Sequence, residues 1–363
     1  MQDRTWEAVP FRRELIESLT SLRRLQYGDT EFCSPEYILW QLESGPAGRA
    51  VCWIALSEEG RAVGEYWMVP VRYLLGAREV LGAVGANALV HPKYRRRSVF
   101  QSLGRQCSAE CTRRSIELTL YVPNEYSIGG LLGKFGCKDL GGIPVLVYPV
   151  DPTAIAQRVS SNQWVRRAAE HVLRWSRRTR RSGGVNDICV VPVSTCDFGP
   201  EFDEFWQRVL GKYPCMAIRD RSFMKWRYSS VGDRSYEARY ARVGAAVTGY
   251  SVTRMAAVQG MKAGFVVDLL CEPSEIGRAA AEALVEEAKK RLAEQGAQLI
   301  CSLVPPHTQE YGIMRQCGFL PCPARFKPHP FRLVLQRHGC SVATPAVGRL
   351  KSWFWSLGDY DAI

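Results

Sequence analysis

Three consecutive arginines, Arg95, Arg96 and Arg97, follow an apolar run in the stretch ALVHPKYRRRSVFQSLGRQC (88–107). The residues from Ser98 onward have helical spacing, so the arginines lie where a predicted strand turns into a predicted helix. The first N–H groups of a helix have no intrahelical partner and attract phosphate oxygens. Guanidinium groups beside them add charge-assisted, often bidentate hydrogen bonds to a diphosphate. The stretch therefore predicts an anion site, with a solvated basic turn as the alternative.

A second polar pair stands further along, in PNEYSIGGLLGKFGC (123–137). Asn124 and Ser127 are three residues apart at the start of another predicted helix. Both residue types cap helix N termini, and a capping role does not exclude a contact with a ligand. Together with the arginines, this pair indicates a site built from two helix starts.

These motifs belong to a pattern that occurs twice. Placing SPEYILWQL (34–42) on RSFMKWRYS (221–229) superposes Trp40 on Trp226. In each half an apolar strand then ends in a proline, as ANALVHP or VVDLLCEP, and a helix, a strand, a short helix and a glycine turn follow. This alternation predicts a mixed α/β sheet with helices on both faces. We interpret the chain as a tandem duplication of one such unit.

A chain of 363 residues is too long for one ordinary core, so two domains are expected. We predict a first domain over 1–150, a basic linker helix over 151–190, a degenerate second copy over 191–340 and an aromatic C-terminal tail over 341–363.

The element order, with VHPKYRRRSVFQSL and VPNEYSIGGLLGKFGC, resembles the GNAT superfamily of acyl-CoA-dependent N-acyltransferases, once in each half. The resemblance implies two tandem GNAT-like domains, each a mixed, mostly antiparallel sheet flanked by helices. It also implies an N-acyltransferase that uses acetyl-CoA or another acyl-CoA as cosubstrate, without a metal. The implied acceptor is an amine, such as an amino sugar or a small metabolite.

The cofactor loop of that family, Arg/Gln-x-x-Gly-x-Gly/Ala, falls on residues 95–100, with Ser98 and Phe100 at its glycine positions. In the second half Glu272 and Glu275 occupy the corresponding helix start, where they would repel a diphosphate, so one cofactor site is expected. The resemblance implies cofactor contacts from Leu89, Val90, Arg95, Arg96, Arg97, Ser98, Val99, Phe100, Asn124 and Ser127.

Acyl transfer to an amine needs a group that takes a proton from the nitrogen. Many relatives carry a carboxylate on the fourth strand. The comparable residue in the second half is Asp268, in the apolar stretch AGFVVDLLC, and Glu125 of the first half is the other candidate. Burial raises a carboxyl pKa toward the range of a base. A salt bridge or a helix cap is the structural alternative for each. Leu132 and Met314 replace the tyrosine acid of many relatives, so no acid is assigned.

The formal net charge of +12 indicates an anionic partner. Much of the excess lies in the basic helix predicted over 164–181, which is either a solvated linker or a docking surface for an acidic partner such as a carrier protein or tRNA. Thirteen scattered cysteines and the lack of a signal peptide favour a cytoplasmic protein with reduced thiols. No apolar run reaches the ~20 residues of a transmembrane helix.

Two alternative functions remain open. The basic helix favours a transferase of Fem-like type that uses aminoacyl-tRNA or an acyl carrier protein. The missing loop glycines and the missing tyrosine favour a catalytically inactive acyl-CoA-binding module.

Overall fold

Two mixed β-sheets, one of eight strands and one of seven, form the described part of the protein. The computed structural model describes residues 5–159, 163–176, 187–327, 329–339 and 345–360. Below, the first half means residues 5–150, the second half residues 187–339, and the C-terminal tail residues 345–360.

The first half begins with strands and helices whose starts follow from local sequence. Ser34 accepts a hydrogen bond from the N–H of Tyr37 at 3.1 Å, and Pro35 takes the first helical position, so a helix starts there. The strands are β1 (Trp6–Pro10), β2 (Val51–Ser57), β3 (Ala62–Leu75), β4 (Arg78–Val90), β5 (Leu118–Tyr121), β6 (Lys138–Gly142) and β7 (Val145–Pro149), and the helices are α1 (Ile16–Tyr27), α2 (Pro35–Glu43), α3 (Val99–Arg113) and α4 (Glu125–Lys134).

Two helices, α5 (Pro152–Val159) and α6 (Gln163–Ser176), lie where one linker helix over 151–190 was predicted. Arg158 fastens α5 to the second half by donating to the carbonyl of Gln259 at 2.6 Å. The remaining basic residues of the predicted helix, Arg177, Arg178, Arg180 and Arg181, lie outside the described residues.

The second half repeats the order of elements of the first. Asp220 and Thr308 cap two of its helices through their side-chain oxygens. The strands are β8 (Ile188–Val193), β9 (Cys215–Ala217), β10 (Glu237–Val243), β11 (Ala246–Val258), β12 (Met261–Cys271), β13 (Leu299–Leu303), β14 (Leu320–Pro321) and β15 (Arg332–Arg337), and the helices are α7 (Glu201–Val209), α8 (Arg221–Tyr228), α9 (Glu275–Glu294) and α10 (Gln309–Gln316). None of the helices in the described ranges combines the length and apolar character needed to cross a membrane.

The two sheets have the same strand order. The first runs β1-β2-β3-β4-β5-β15-β6, with β9 added beside β3, and the second runs β8-β10-β11-β12-β13-β7-β14. In each sheet one parallel pair, β4–β5 or β12–β13, is flanked by antiparallel neighbours. The predicted fold class, two tandem units with mixed, mostly antiparallel sheets, is therefore confirmed.

The halves exchange strands: the second half contributes β15 and the short β9 to the first sheet, and the first half contributes β7 to the second sheet. Strand β15 comes from the second half but pairs with β5, where Leu335 lies opposite Leu120. Strand β7 comes from the first half but pairs with β13, where Val147 lies opposite Cys301. Each sheet is therefore completed by a strand from the other half.

The two tryptophans that the sequence alignment superposed contact each other across the halves. Their rings stack with centroids 5.2 Å apart. The indole N–H of Trp40 donates to the carbonyl of Trp226 at 2.9 Å, and the indole N–H of Trp226 donates to the carbonyl of Trp40 at 3.4 Å. Reciprocal bonds between equivalent residues are the arrangement expected about a local twofold axis.

The C-terminal tail lies in the core shared by the two sheets. Trp353 and Trp355 are fully buried. The ring of Trp353 packs edge-on against Tyr73 of β3 at 5.6 Å, and Phe354 stacks on Tyr213 of the second half at 5.1 Å. The tail therefore joins the two halves through apolar contacts.

Cutting the backbone between residues 176 and 187 should leave both fragments in one complex, because β7 and β15 pair across the cut. A recognition sequence for a site-specific protease, inserted there, allows cleavage in native buffer. The fragments are expected to elute together in gel filtration and to separate only in denaturant. Separate elution in native buffer would contradict the strand exchange.

Candidate active site

An opening between β4 and β5 is the central feature of the first half. The two strands pair at Ala83–Thr119, Val84–Leu120 and Gly85–Tyr121 and no further, although β4 continues to Val90. A Cβ atom on Gly85 would lie 2.0 Å from Cδ1 of Tyr121, so only glycine allows this ring to cover the strand. Beyond that ring the strands separate, which leaves one edge of β4 unpaired.

A β-bulge lies where the strands separate. Tyr66 of β3 pairs with Ala88 and Met68 pairs with Gly85, so β4 has one extra residue at this point. The second half has a bulge at the corresponding place, where Val252 pairs with Asp268 and Thr253 with Val266. Bulges redirect backbone groups and are frequent next to active sites.

Helix α3 begins beside this opening with its N terminus uncapped. Ser98 precedes the helix and makes no side-chain capping bond. The first N–H groups, from Val99 onward, have no intrahelical acceptor and carry partial positive charge. These N–H groups form a ready site for an anionic ligand.

The three arginines of the predicted anion site lie at that helix start, and all three are exposed. Arg95 donates to the carbonyl of Val90 at 3.4 Å, and Arg97 donates to the hydroxyl of Thr5 at 2.9 Å. Among the described residues, none of the three pairs with a carboxylate, and Arg96 makes no hydrogen bond. Their positive charge is therefore available to an anion.

Ser98 and Phe100 fill the glycine positions without closing the site. Ser98 has φ 60° and ψ 12°, the left-handed conformation that glycine adopts most readily. The ring of Phe100 packs between Tyr66 at 5.4 Å and Phe135 at 5.8 Å. The bulky residue thus belongs to the core between α3 and the sheet.

The start of α4 borders the other side of the opening. The side-chain oxygen of Asn124 accepts hydrogen bonds from the N–H groups of Tyr126 at 3.1 Å and Ser127 at 3.0 Å. The hydroxyl of Ser127 donates to the same oxygen at 3.1 Å. Asn124 is therefore a helix cap, and its amide nitrogen is the group left for a ligand. Glu125, at the first position of α4, is exposed to solvent.

The backbone groups of Leu89 and Val90 point to opposite edges of β4. The backbone of Leu89 pairs with Glu65 of β3, and its side chain lies in the core under α1 and α2. The N–H of His91 donates to the carbonyl of Val63, so by strand alternation the backbone of Val90 points to the unpaired edge. Of these two predicted contacts, the structure places the backbone of Val90 toward the opening.

Asp268, on β12, lies in a buried cluster of hydrogen-bonded side chains. Its Oδ2 accepts from Nε of Arg219 at 3.0 Å and from the hydroxyls of Tyr228 and Tyr250, each at 2.8 Å. Its Oδ1 accepts from the hydroxyl of Ser356 at 2.8 Å. With both oxygens occupied and the side chain fully buried, this geometry favours a structural role for Asp268 over proton transfer.

The corresponding opening of the second half is filled by side chains. The ammonium of Lys212 donates to the carbonyl of Cys271 at 2.7 Å and to Glu310 at 2.6 Å, across the ends of β12 and α10. Ser274 caps α9 by accepting from the N–H of Gly277 at 3.0 Å. Burial raises the pKa of the Cys271 thiol to about 12, so this thiol stays protonated. Of the two openings, the one in the first half is therefore the one that side chains do not fill in this way.

A buried ion pair on the first sheet, which the sequence did not predict, joins α1 to β3. Nε of Arg23 lies 3.1 Å from Oε1 of Glu65, and both side chains are fully buried. Burial raises the pKa of Glu65, and Arg23 opposes that effect. The pair fastens α1 to β3, and its signal was one carboxylate in the apolar run AVGEYWMVPV.

The two residues that replace the tyrosine acid of many relatives lie in different surroundings: Leu132 is exposed on α4 and Met314 is buried on α10. Within the described ranges, no three His, Cys, Asp or Glu side chains come together as a metal site.

Comparisons with known proteins identify the fold. No protein-family model matches the chain, and no curated protein matches it. Among solved structures, a GCN5-related N-acetyltransferase from Anabaena variabilis is 13% identical with a TM-score of 0.59, covering 92% of this chain and 73% of that one. Saccharomyces cerevisiae N-myristoyltransferase with bound myristoyl-CoA is 10% identical with a TM-score of 0.62, covering 93% and 80%. A GCN5-related N-acetyltransferase from Kribbella flavida is 15% identical with a TM-score of 0.57, covering 91% and 70%.

The chain thus has the fold of the GNAT superfamily, the family that the sequence resembles. At these identities the match establishes the fold alone.

Replacing Ser98 tests the left-handed turn at the start of α3. Ser98→Val should lower the free energy of unfolding by about 1–2 kcal/mol, because a β-branched residue is disfavoured at positive φ. Ser98→Gly should keep or raise that free energy. Ser98→Ala is the control for capping, since a lost cap costs about 1 kcal/mol and none is expected here. Urea denaturation measures all three, and equal stability of the valine and glycine variants would contradict the turn.

Proposed function

We propose that the protein is an acyl-CoA-dependent N-acyltransferase with one cofactor site, in the first half. The observation that carries the proposal is the uncapped start of α3, with Arg95, Arg96 and Arg97 beside it, at the mouth of the β4–β5 opening. Free N–H groups and unpaired guanidinium groups are the chemistry that binds a diphosphate. The match to a myristoyl-CoA-bound N-myristoyltransferase supports the same assignment.

The rest of the acyl-CoA would follow the unpaired edge of β4. The backbone of Val90 can bond the amide-bearing arm of the cofactor, as a neighbouring strand would. The arm then leads to the bulge, where redirected backbone N–H groups could stabilise a tetrahedral oxyanion. Acetyl is the acyl group we propose, and the acceptor is an amine such as an amino sugar or a small metabolite.

A cytoplasmic location is part of the proposal. Twelve cysteines in the described residues are free thiols, and most are buried. Thiols persist in reduced form in the cytosol, where disulfides are rare.

Acetyl-CoA is expected to raise the melting temperature of the wild-type protein by mass action. Arg96→Ala/Arg97→Ala should abolish most of that shift, because two charges beside the α3 N terminus are removed. Arg113→Ala/Arg114→Ala removes the same charge from the other end of α3 and should keep the shift. Thermal unfolding with and without acetyl-CoA measures each effect.

Two results would count against the proposal. One is the absence of a shift with any acyl-CoA, and the other is an equal loss in both double variants, which would indicate a dependence on net charge alone. Thiol release from acetyl-CoA with a panel of amines separates an enzyme from an inactive acyl-CoA-binding module.

A carrier-dependent transferase is the second candidate, favoured by the surface of α6. Trp164 is 75% exposed, and the guanidinium of Arg167 lies over its ring at 5.6 Å. An exposed aromatic beside arginines suits tRNA or an acidic carrier protein. Arg166→Ala/Arg167→Ala should leave turnover with free acetyl-CoA unchanged if the first proposal holds. Loss of a strongly salt-dependent reaction in this variant would favour the carrier instead.

A further inference from the structure

Tyr126, in the first turn of α4, is the most exposed of the large apolar side chains in the described residues. It is 96% exposed, against 75% for Trp164, which comes next. Its backbone N–H donates to the side chain of Asn124 at 3.1 Å, whereas its hydroxyl makes no hydrogen bond within the described ranges. The ring is therefore open to a ligand that stacks on it.

Helices α3 and α4 start at the same end of the first sheet. Strand β4 is parallel to β5, and β6 runs in the direction of β5 because both pair antiparallel with β15. Helix α3 leads from β4 back to β5, and α4 leads from β5 back to β6. Both helices therefore begin at the carboxyl end of these strands, where β4 and β5 separate.

A close contact between the two helices defines the position of Tyr126. A Cβ atom on Gly130 would lie 2.9 Å from Cε1 of Phe100, the second residue of α3. Tyr126 precedes Gly130 by one helical turn, about 6 Å, on the same side of α4. Helical side chains also lean toward the N terminus of their helix. The ring of Tyr126 therefore projects beyond the first turn of α3, toward the end where the arginines 95–97 lie.

The two helix starts differ in charge and in capping. The start of α3 is uncapped and lies beside three arginines, so it attracts phosphate groups. At the start of α4, the side chain of Asn124 occupies the N–H groups of Tyr126 and Ser127, and the carboxylate of Glu125 is exposed. A phosphate is therefore favoured at α3 and disfavoured at α4, where an uncharged group of the same ligand fits better.

The surface beside the ring has room for a flat group. Gly129 follows Tyr126 by three residues and lies next to it on the helix surface. A Cβ atom on Gly129 would meet nothing within 4 Å. A planar ring can therefore lie on Tyr126 without meeting a neighbouring side chain at this position.

We propose that Tyr126 is the platform on which the adenine base of the acyl donor stacks. The assignment rests on the proposed acyl-CoA site. In coenzyme A one ribose joins the adenine to the diphosphate, so a diphosphate at the start of α3 brings the base close to α4. Aromatic side chains bind nucleobases through their ring faces, because every base has a π-face.

This platform selects the class of acyl donor. An acyl carrier protein presents its acyl group on phosphopantetheine, which carries no adenine, so Tyr126 would add nothing to its binding. A free CoA thioester gains both the contacts of the phosphates and the stacking of the base. The donor is therefore a free acyl-CoA, and the affinity for it depends on Tyr126.

Calorimetric titration of the full chain with acetyl-CoA tests the platform. Tyr126→Ala should weaken binding about 5- to 100-fold, the range measured when an aromatic platform for one base is replaced by alanine. Tyr126→Phe should bind as the wild type does, because the ring remains. Both variants should fold normally, since the side chain is exposed and packs on nothing.

Two fragments of the donor separate the contributions. Adenosine 3′,5′-bisphosphate carries the base without the acyl arm and should lose affinity in Tyr126→Ala as acetyl-CoA does. S-acetyl-4′-phosphopantetheine carries the acyl arm without the base. It should bind the wild type and Tyr126→Ala equally, and more weakly than acetyl-CoA binds the wild type.

Tyr27→Ala is the matched control, because Tyr27 is an exposed tyrosine of the first half that lies on α1, away from α3 and α4. It should leave all three affinities unchanged. Equal affinity of the wild type and Tyr126→Ala for acetyl-CoA overturns the platform. An equal loss for S-acetyl-4′-phosphopantetheine overturns it as well, because that loss would indicate a disturbed α4 instead of lost stacking.

The platform and the N-acyltransferase proposal fail in different ways. A wild-type protein that transfers acetyl groups from acetyl-CoA, with an affinity independent of Tyr126, disproves the platform alone. A protein that binds adenosine 3′,5′-bisphosphate through Tyr126 but releases no thiol from acetyl-CoA with any amine disproves the transferase alone. Equal turnover with S-acetyl-4′-phosphopantetheine and acetyl-CoA contradicts the selection of the donor.

Discussion

The guanidinium of Arg219 is the group on which the arrangement of the halves and the tail depends. It is fully buried and donates to Asp268 on β12, to the carbonyl of Ala217 on β9 and to Asp359 in the tail. Strand β9 in turn pairs with β3 of the first half. A buried charge is tolerated only when its partners are in place, and removing one partner of such a pair costs about 3–5 kcal/mol. The position of the tail and the contact between the halves therefore depend on the same buried guanidinium.

The two halves share one strand order but differ in the side chains around the opening. Their strand orders are identical, and both carry a bulge beside a parallel pair that separates. In the first half the helix after the long strand starts uncapped beside three arginines. In the second half Ser274 caps that helix, and Lys212 with Glu310 spans the opening. Differences at a few side chains thus separate an uncapped helix start beside free arginines from a capped one beside a filled opening.

The tail also takes part in a small cavity between the halves. Residues from α2, β3, β4, α8 and the tail line it. The opening of the first half, by contrast, is bordered by β4, α3 and α4. The second half therefore contributes helix α8 to the contact between the halves, apart from the opening beside α3.

The sequence by itself determined the features that depend on neighbours along the chain. The helix start at Asn124, the basic turn at Arg95 and the equivalence of Trp40 and Trp226 follow from local residue types and from a repeated order of elements. It also predicted the fold class, because a duplicated alternation of strands and helices allows few packings.

The tertiary structure alone decided the features that join distant segments. Local sequence does not determine that β7 and β15 pair in the sheet of the opposite half. Their partners are strand edges that exist only after both sheets have formed. Asp268 has the sequence context of a buried base, yet its four partners come from residues 219, 228, 250 and 356, and together they occupy both oxygens. The ion pair between Arg219 and Asp359 became apparent only once the tail lay between the halves, because burial and hydrogen bonding are properties of the packed molecule.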